Sequence, residues 1–380
     1  MNKLSEIIKS RIRGSGPITF EDFMDLALYH EEYGYYTSGN VSIGREGDFY
    51  TSPYVHTAFG EVVSKFITKG LSFINAPVPM IIEVGAGKGT LARDILDTIK
   101  RESSEIYGKL IYTFIEKSPV LIKQARAVLE WHLDKIRFIG DISEIGNNSA
   151  EAVVISNELF DAIPFHRAIV ENGGHREIYV SLKDNNFIEI TGELSTDELK
   201  KYIDKYELGL LEGQQIEINT LAGQALKDIA GIMKKGFLLT IDYGYTAPEL
   251  FSPSRMNGTY KCMKGHSINE KPYTDIGEQD ITAHVDFSNL ISEGEAVGLN
   301  KLVYTTQGQF LLDWGILKVL ENTSQVGKEP SEKKIAAVKN LFLPGSMGNS
   351  FKALMQVKNL GDKLSEFYPE SPFKISFDVV

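Results

Sequence analysis

The spacing of apolar positions changes character near residue 80 of this chain. Upstream, Ile7, Ile8 and Ile12 recur at helical spacing, Pro17 breaks the run, and Thr19 with Asp22 three residues on reads as the cap of a second helix. A longer amphipathic helix is predicted over 54–75. From residue 80 short apolar runs at 80–84, 110–116, 136–140 and 152–157 alternate with helical patterns at 90–102 and 119–132. Such alternation predicts a parallel sheet with helices on both faces. A hairpin, Glu177–Leu182 and Phe187–Ile190 turning at Asp184-Asn185-Asn186, interrupts it. The core then resumes with a helix near 219–234 and the strand Phe237–Asp242. Strands near 300–306 and 351–357, with two helices between them, are expected to close the sheet. The polar, glycine-rich stretch 244–284 is expected to be an inserted substrate loop.

The first strand runs into Glu83-Val84-Gly85-Ala86-Gly87-Lys88-Gly89, three glycines at alternate positions before a helix. Glycine suits a sharp strand-to-helix turn because it reaches φ > 0 and lets a ligand approach the backbone. The nicotinamide and flavin fingerprint needs its third glycine three residues after the second, and Gly89 comes only two after Gly87. The phosphate loop of ATPases needs Gly-Lys followed by Ser or Thr, and here Gly89 follows Lys88. What remains, E-x-G-x-G-x-G, resembles motif I of the methyltransferases that use S-adenosyl-L-methionine (SAM) and release S-adenosyl-L-homocysteine.

In an open parallel sheet ligands bind beyond the carboxyl ends of the strands, so the residues there are the candidates. Glu116, after the second strand, can accept both ribose hydroxyls. Asp141 after the third can accept from an adenine amine while Ile142 packs on the ring. After the fourth comes Asn157-Glu158-Leu159-Phe160-Asp161, two carboxylates three apart that would share one face of a helical turn. Such a pair can hold a guanidinium, polarise it and take its proton; the alternative is a cap, with Asn157 as the capping residue. Asp242 either lines the pocket or anchors a turn. His284 with Asp286 offers an ionisable imidazole and a neighbouring acid, or a structural histidine before a helix cap.

Composition narrows the partners. A formal charge of −11 and a pI near 5.3 argue against nucleic acid, which is bound through clustered Lys and Arg. One cysteine, Cys262, excludes an intramolecular disulfide, and seven histidines without zinc-ligand spacing predict no metal site. No apolar run approaches the ~20 residues of a membrane span, and the N-terminus lacks the apolar region of a secretory signal. A cytoplasmic location is therefore expected, with self-association left open.

Several runs together resemble the MidA-like SAM-dependent methyltransferases: Gly47 to Pro53 with Phe59-Gly60-Glu61, Glu83 to Leu91, Ser156 to Pro164, Ile241 to Gly244, Asp280 to Phe287, Thr306 to Leu312 and Met347 to Lys352. The resemblance spans nearly the whole chain. It implies an α/β fold with a Rossmann-like class I methyltransferase sheet, a helical N-terminal region and an inserted substrate-side region. In residue numbers that means N-terminal helices and a loop over 1–76, a SAM-binding core over 77–245 with the hairpin inserted at about 176–215, the substrate region over 246–298 and closing elements over 299–380. It further implies that the loop from Asp48 to Pro53, through Thr51 and Ser52, covers the cofactor. The substrate class it implies is protein arginine, symmetrically dimethylated, in a subunit of respiratory complex I for the mitochondrial members that assist its assembly. The chain departs from the family's usual Gly-Pro-Gly-Arg-Gly at Gly85–Gly89, keeping all three glycines, and carries Tyr260-Lys261 and Gly265-His266 where the family has Tyr-Arg and His-Arg. Expected catalytic residues are Glu158, Asp161 and His284; expected cofactor residues are Glu83, Gly85, Gly87, Gly89, Glu116, Asp141, Ile142, Asn157, Thr51 and Ser52. Methyl transfer to the oxygen or nitrogen of a small molecule, and a SAM-binding assembly chaperone with little turnover, are the alternatives.

Overall fold

The computed structural model describes residues 2–39, 52–206, 208–265, 267–325, 332–361, 364 and 366–369. Asp48, Thr51 and His266 lie outside the described residues. The chain forms two compact units, one built from 1–49, 160–226 and 244–290, the other from 50–159, 227–243 and 291–380.

The second unit holds the main sheet. Its strands are β1 (Met80–Val84), β2 (Ile111–Ile115), β3 (Ile136–Ile139), β4 (Ala150–Asn157), β5 (Met233–Tyr245), β6 (Asn300–Thr306) and β7 (Phe351–Lys358). Across the sheet they run 3-2-1-4-5-7-6. β3, β2, β1, β4 and β5 pair in parallel, and β7 lies antiparallel between β5 and β6. This is the doubly wound order 3-2-1-4-5-6 with one antiparallel strand inserted. The order reverses between β1 and β4, so a crevice opens outside their carboxyl ends.

The sheet packs against a large apolar core. Helix Ala58–Ile74 buries Phe59, Val62, Val63, Phe66 and Ile67, and helix Thr90–Glu102 buries Leu91, Ile95, Leu96 and Ile99. Gly60 brings these helices together, since a Cβ there would meet the Asp94 Cβ at 2.5 Å. The Thr306–Leu312 and Met347–Lys352 runs also have a packing origin. A Cβ on Gly308 or on Gly348 would sit 2.4 Å from the Phe342 carbonyl oxygen. Among the described residues four helices, Gln307–Asp313, Ile316–Gln325, Glu332–Phe342 and Met347–Ser350, separate β6 from β7, where two were expected. Pro344-Gly345 cuts the apolar pattern into shorter pieces.

The first unit centres on an antiparallel sheet of Ile18–Thr19, Gly174–Lys183, His166–Glu171 and Gln215–Ile218, with Asn186–Gly192 completing the expected hairpin. Its turn residues Asp184 and Asn185 both have φ > 0, which matches the right-handed twist of the flanking strands. Thr19 caps helix Phe20–Tyr29 through Asp22 as expected. His166 is buried between two carboxylates, Glu177 at 2.7 Å and Glu21 at 3.0 Å. The stretch 244–284 is not a bare loop: Lys261–Lys264, Ser267–Asn269 and Asp280–Thr282 form a small sheet. Cys262 and Ile281, both buried, pair across it, a burial its polar composition concealed. Among the described residues no helix is long and apolar enough to cross a membrane, and no cluster of metal-ligating side chains occurs.

Candidate active site

In the second unit the turn after β1 places three successive alternate glycines in the left-handed region, Gly85 at φ 71°, Gly87 at 57° and Gly89 at 77°. They are not equivalent. A Cβ on Gly85 would strike Leu159 Cδ1 at 2.7 Å, and one on Gly89 would strike Leu129 Cδ1 at 2.8 Å. Among the described residues a Cβ on Gly87 would meet nothing within 4 Å. Gly85 and Gly89 are therefore packing residues, and Gly87 faces open space where a ligand can approach the backbone. The Ile115 carbonyl accepts from the Gly85 and Ala86 N–H groups, which fixes the turn to the end of β2.

Glu83 lies under this turn, 3% exposed, and accepts a 2.6 Å hydrogen bond from the Tyr112 hydroxyl. Burial pushes its carboxyl up to about 8, against the lowering effect of Tyr112. At neutral pH it is largely protonated. A carboxyl whose native pKa lies above its unfolded value contributes stability below pH 4.5 that is lost as the pH rises through about 8. Unfolding free energy measured by denaturant titration should accordingly decline across this window. Glu83→Gln, which reproduces the neutral form, should remove this component of the decline; an unchanged pH dependence would place the Glu83 proton elsewhere.

Glu116 stands beyond β2 with both carboxylate oxygens held by backbone. The Gly87 N–H donates to Oε2 at 2.9 Å and the Ser118 N–H to Oε1 at 2.8 Å. Desolvation raises its pKa, opposed by these donors. Asp141, exposed beyond β3, caps the single turn Ile142–Glu144 by accepting from the Ser143 N–H at 2.8 Å, and hydrogen bonding to Ser143 holds its carboxyl low. Glu144 braces the same turn through the Gly140 and Asp141 N–H groups. Ser52 donates to Gln307 Oε1 at 3.0 Å, and Gln307 Nε2 donates to the Leu341 carbonyl, all buried. The Ser52 hydroxyl thus joins two helices.

At the end of β4 no helix follows Asn157. Residues 158–163 form bends and a turn, so Asn157 is not a helix cap and the two carboxylates do not share a helical face. Glu158 has φ 52°, which a side chain with a Cβ adopts at a cost of about 1–2 kcal/mol. It is held there by its N–H to the Ile241 carbonyl at 2.9 Å and by Asn157 Nδ2 to its Oε1 at 3.0 Å. The helical spacing of two acids gave no sign of this, because the constraint comes from β5. Among the described residues Asn157 Oδ1 is buried without a hydrogen-bond partner. An acceptor of this kind can take a donor from a bound molecule or from water. Asp242, fully buried within β5, accepts from the Tyr243 N–H at 2.9 Å, and the strand runs on to Tyr245, so Asp242 does not anchor a turn.

In the first unit Asp161 is 6% exposed, and its backbone carbonyl accepts from the Ala283 N–H at 3.1 Å. That bond seats the Thr282–Phe287 run beside it. Asp161 and His284 line one small cavity, joined by Glu217, Asp286, Tyr202 and Asn219. Glu217 accepts from Thr259 Oγ1 at 3.0 Å and from the Thr259 and Tyr260 N–H groups. Asp286 accepts from the Tyr202 hydroxyl at 2.6 Å and from the Ser288 N–H, the cap expected before helix Phe287–Ala296. Burial raises both carboxyls. Glu217 and Tyr202 carry no motif, and only the packing of distant segments reveals them.

A parallel sheet that reverses between β1 and β4, a glycine turn open at Gly87 and an unpaired acceptor at Asn157 fit SAM, and the fold is that of a class I SAM-dependent methyltransferase. When bound, SAM supplies an electrophilic methyl group on a sulfonium. A family model described as "Putative S-adenosyl-L-methionine-dependent methyltransferase" matches residues 62–305, and the chain belongs to this MidA-like family. It is 26% identical to a protein of Burkholderia thailandensis whose crystal structure holds S-adenosyl-homocysteine, with TM-score 0.86 over 96% of this chain and 94% of that one. It is also similar to the mitochondrial protein arginine methyltransferase NDUFAF7 of Danio rerio, 26% identical over 91% of this chain and 84% of the relative. The homolog from Drosophila melanogaster is 24% identical over 92% and 84%.

Proposed function

We propose that this methyltransferase acts on protein arginine, with Glu158 and Asp161 supplying the carboxylates that hold and polarise the guanidinium. The observation that carries the reading is the buried Asp161 carboxylate lining an acid-walled cavity with His284. A guanidinium stays protonated at any accessible pH and pairs best with fixed carboxylates. The names of the NDUFAF7 relatives support the same substrate class. On the cofactor side, Gly87 gives backbone access, Glu116 takes the ribose hydroxyls, Asn157 Oδ1 accepts from the bound cofactor, and Asp141 with Ile142 borders the adenine. Glu83, Gly85, Gly89 and Ser52 act by shaping the turn and its surroundings.

The test is transfer from methyl-labelled SAM in a native extract, followed by mass spectrometry of what is labelled. Dimethylarginine in one or a few proteins, symmetric by the family resemblance, is the expected result. A labelled small molecule instead, or no label, would overturn the arginine reading.

A further inference from the structure

The second unit also carries a cleft of about 360 Å³ between helix Ala58–Ile74 and the C-terminal half of helix Thr90–Glu102. None of its lining residues belongs to the glycine turn or to the strand ends described above. Its size falls within the roughly 300–1,000 Å³ of small-molecule sites. Phe73 and Ile99 supply apolar surface, and Lys65 and Lys69 stand one helical turn apart along it.

Both ammonium groups are held by neutral partners. Lys65 Nζ donates to the Gly315 carbonyl at 3.4 Å, a long hydrogen bond. Lys69 Nζ lies 5.9 Å from the Trp314 ring centroid and 5.7 Å from that of Phe367. Among the described residues neither lysine forms an ion pair. Glu61 and Glu102 act on Lys65 from a distance, and the Lys318 ammonium opposes them. Arg101 already engages both acids, Glu102 at 3.1 Å and Glu61 at 3.5 Å. Positive charge is therefore in surplus at this cleft, in a chain of formal charge −11. Two lysines four apart on a helix also repel each other, and burial pushes the Lys65 ammonium below its usual range. An anion seated between them relieves both costs. The hydroxyls of the cleft have spent their hydrogens on backbone, Ser64 on the Glu61 carbonyl at 2.7 Å and Thr98 on the Asp94 carbonyl at 2.8 Å. The lysines are thus its charged donors, set in place before any ligand arrives.

We propose that this cleft is a binding site for a small organic anion, its phosphate or carboxylate held by Lys65 and Lys69 and its apolar body lying on Phe73 and Ile99.

The test titrates the full chain with phenyl phosphate by calorimetry, with S-adenosylhomocysteine saturating the cofactor site. The acid-walled cavity of the first unit disfavours this probe. Phenyl phosphate should bind at least about tenfold more tightly than benzyl alcohol or inorganic phosphate, and its affinity should fall as salt is added. The double variant Lys65→Met, Lys69→Met should weaken it at least about tenfold and leave S-adenosylhomocysteine affinity unchanged. Ser72 is exposed, so Ser72→Glu keeps the fold while setting a carboxylate three residues from Lys69, and it should weaken the probe by a similar factor. No binding by the native chain at about 10 mM probe, equal binding of benzyl alcohol, or affinity that both variants leave unchanged would overturn the site.

Discussion

Asp161→Asn should lower methyl transfer by about 10²–10⁴-fold while leaving S-adenosylhomocysteine affinity within about threefold. The substitution keeps the shape of the side chain and leaves the backbone carbonyl that accepts from Ala283, so the Thr282–Phe287 run should stay seated. What disappears is a buried carboxyl group. An amide can accept one guanidinium hydrogen bond but can neither neutralise the cation nor take its proton. Calorimetry with S-adenosylhomocysteine and label transfer measured on the same preparation check this. Native-level transfer by the variant would exclude Asp161 from the chemistry.

Gly87→Val is expected to do the opposite, sparing the fold and removing cofactor binding. The position is at φ 57°, where a β-branched residue is strained by about 1–2 kcal/mol, so a fall in melting temperature of a few degrees is expected. No packed neighbour among the described residues is struck, since none of them lies within 4 Å of the added Cβ. The isopropyl group instead occupies the space through which a ligand reaches the backbone. Affinity for S-adenosylhomocysteine should drop at least about 100-fold, or about 2.7 kcal/mol. Gly85→Val makes the informative contrast, because its Cβ strikes Leu159 and the damage should appear mainly as lost stability. Calorimetric titration together with thermal melting separates the two. Normal binding by Gly87→Val would mean that the open face of the turn is not the ligand face.

The strand and helix alternation from Met80 to Asn157 was legible because each element carries its own periodicity and the turns between them are short. The hairpin at Asp184-Asn185 was equally plain from its turn residues. The order 3-2-1-4-5-7-6 was not, because pairing partners such as Asp242 and Lys352 lie 110 positions apart and nothing local records the pairing. The glycine turn was visible as a motif, yet its division of labour was hidden. Leu159 and Leu129 make Gly85 and Gly89 obligatory, and both arrive from later in the chain. The turn after Asn157 misled for a related reason: two acids three apart suggest a helix, whereas the Ile241 carbonyl captures the Glu158 N–H.

The left-handed backbone of Glu158 sets stability and activity against each other at one position. Asparagine or glycine would adopt that conformation more readily, so a redesign that scored only thermostability would favour replacing Glu158. It would also discard the carboxylate that Asn157 holds in place. A chain hardened in this way would fold more securely and, on the assignment made above, lose half of its grip on the substrate.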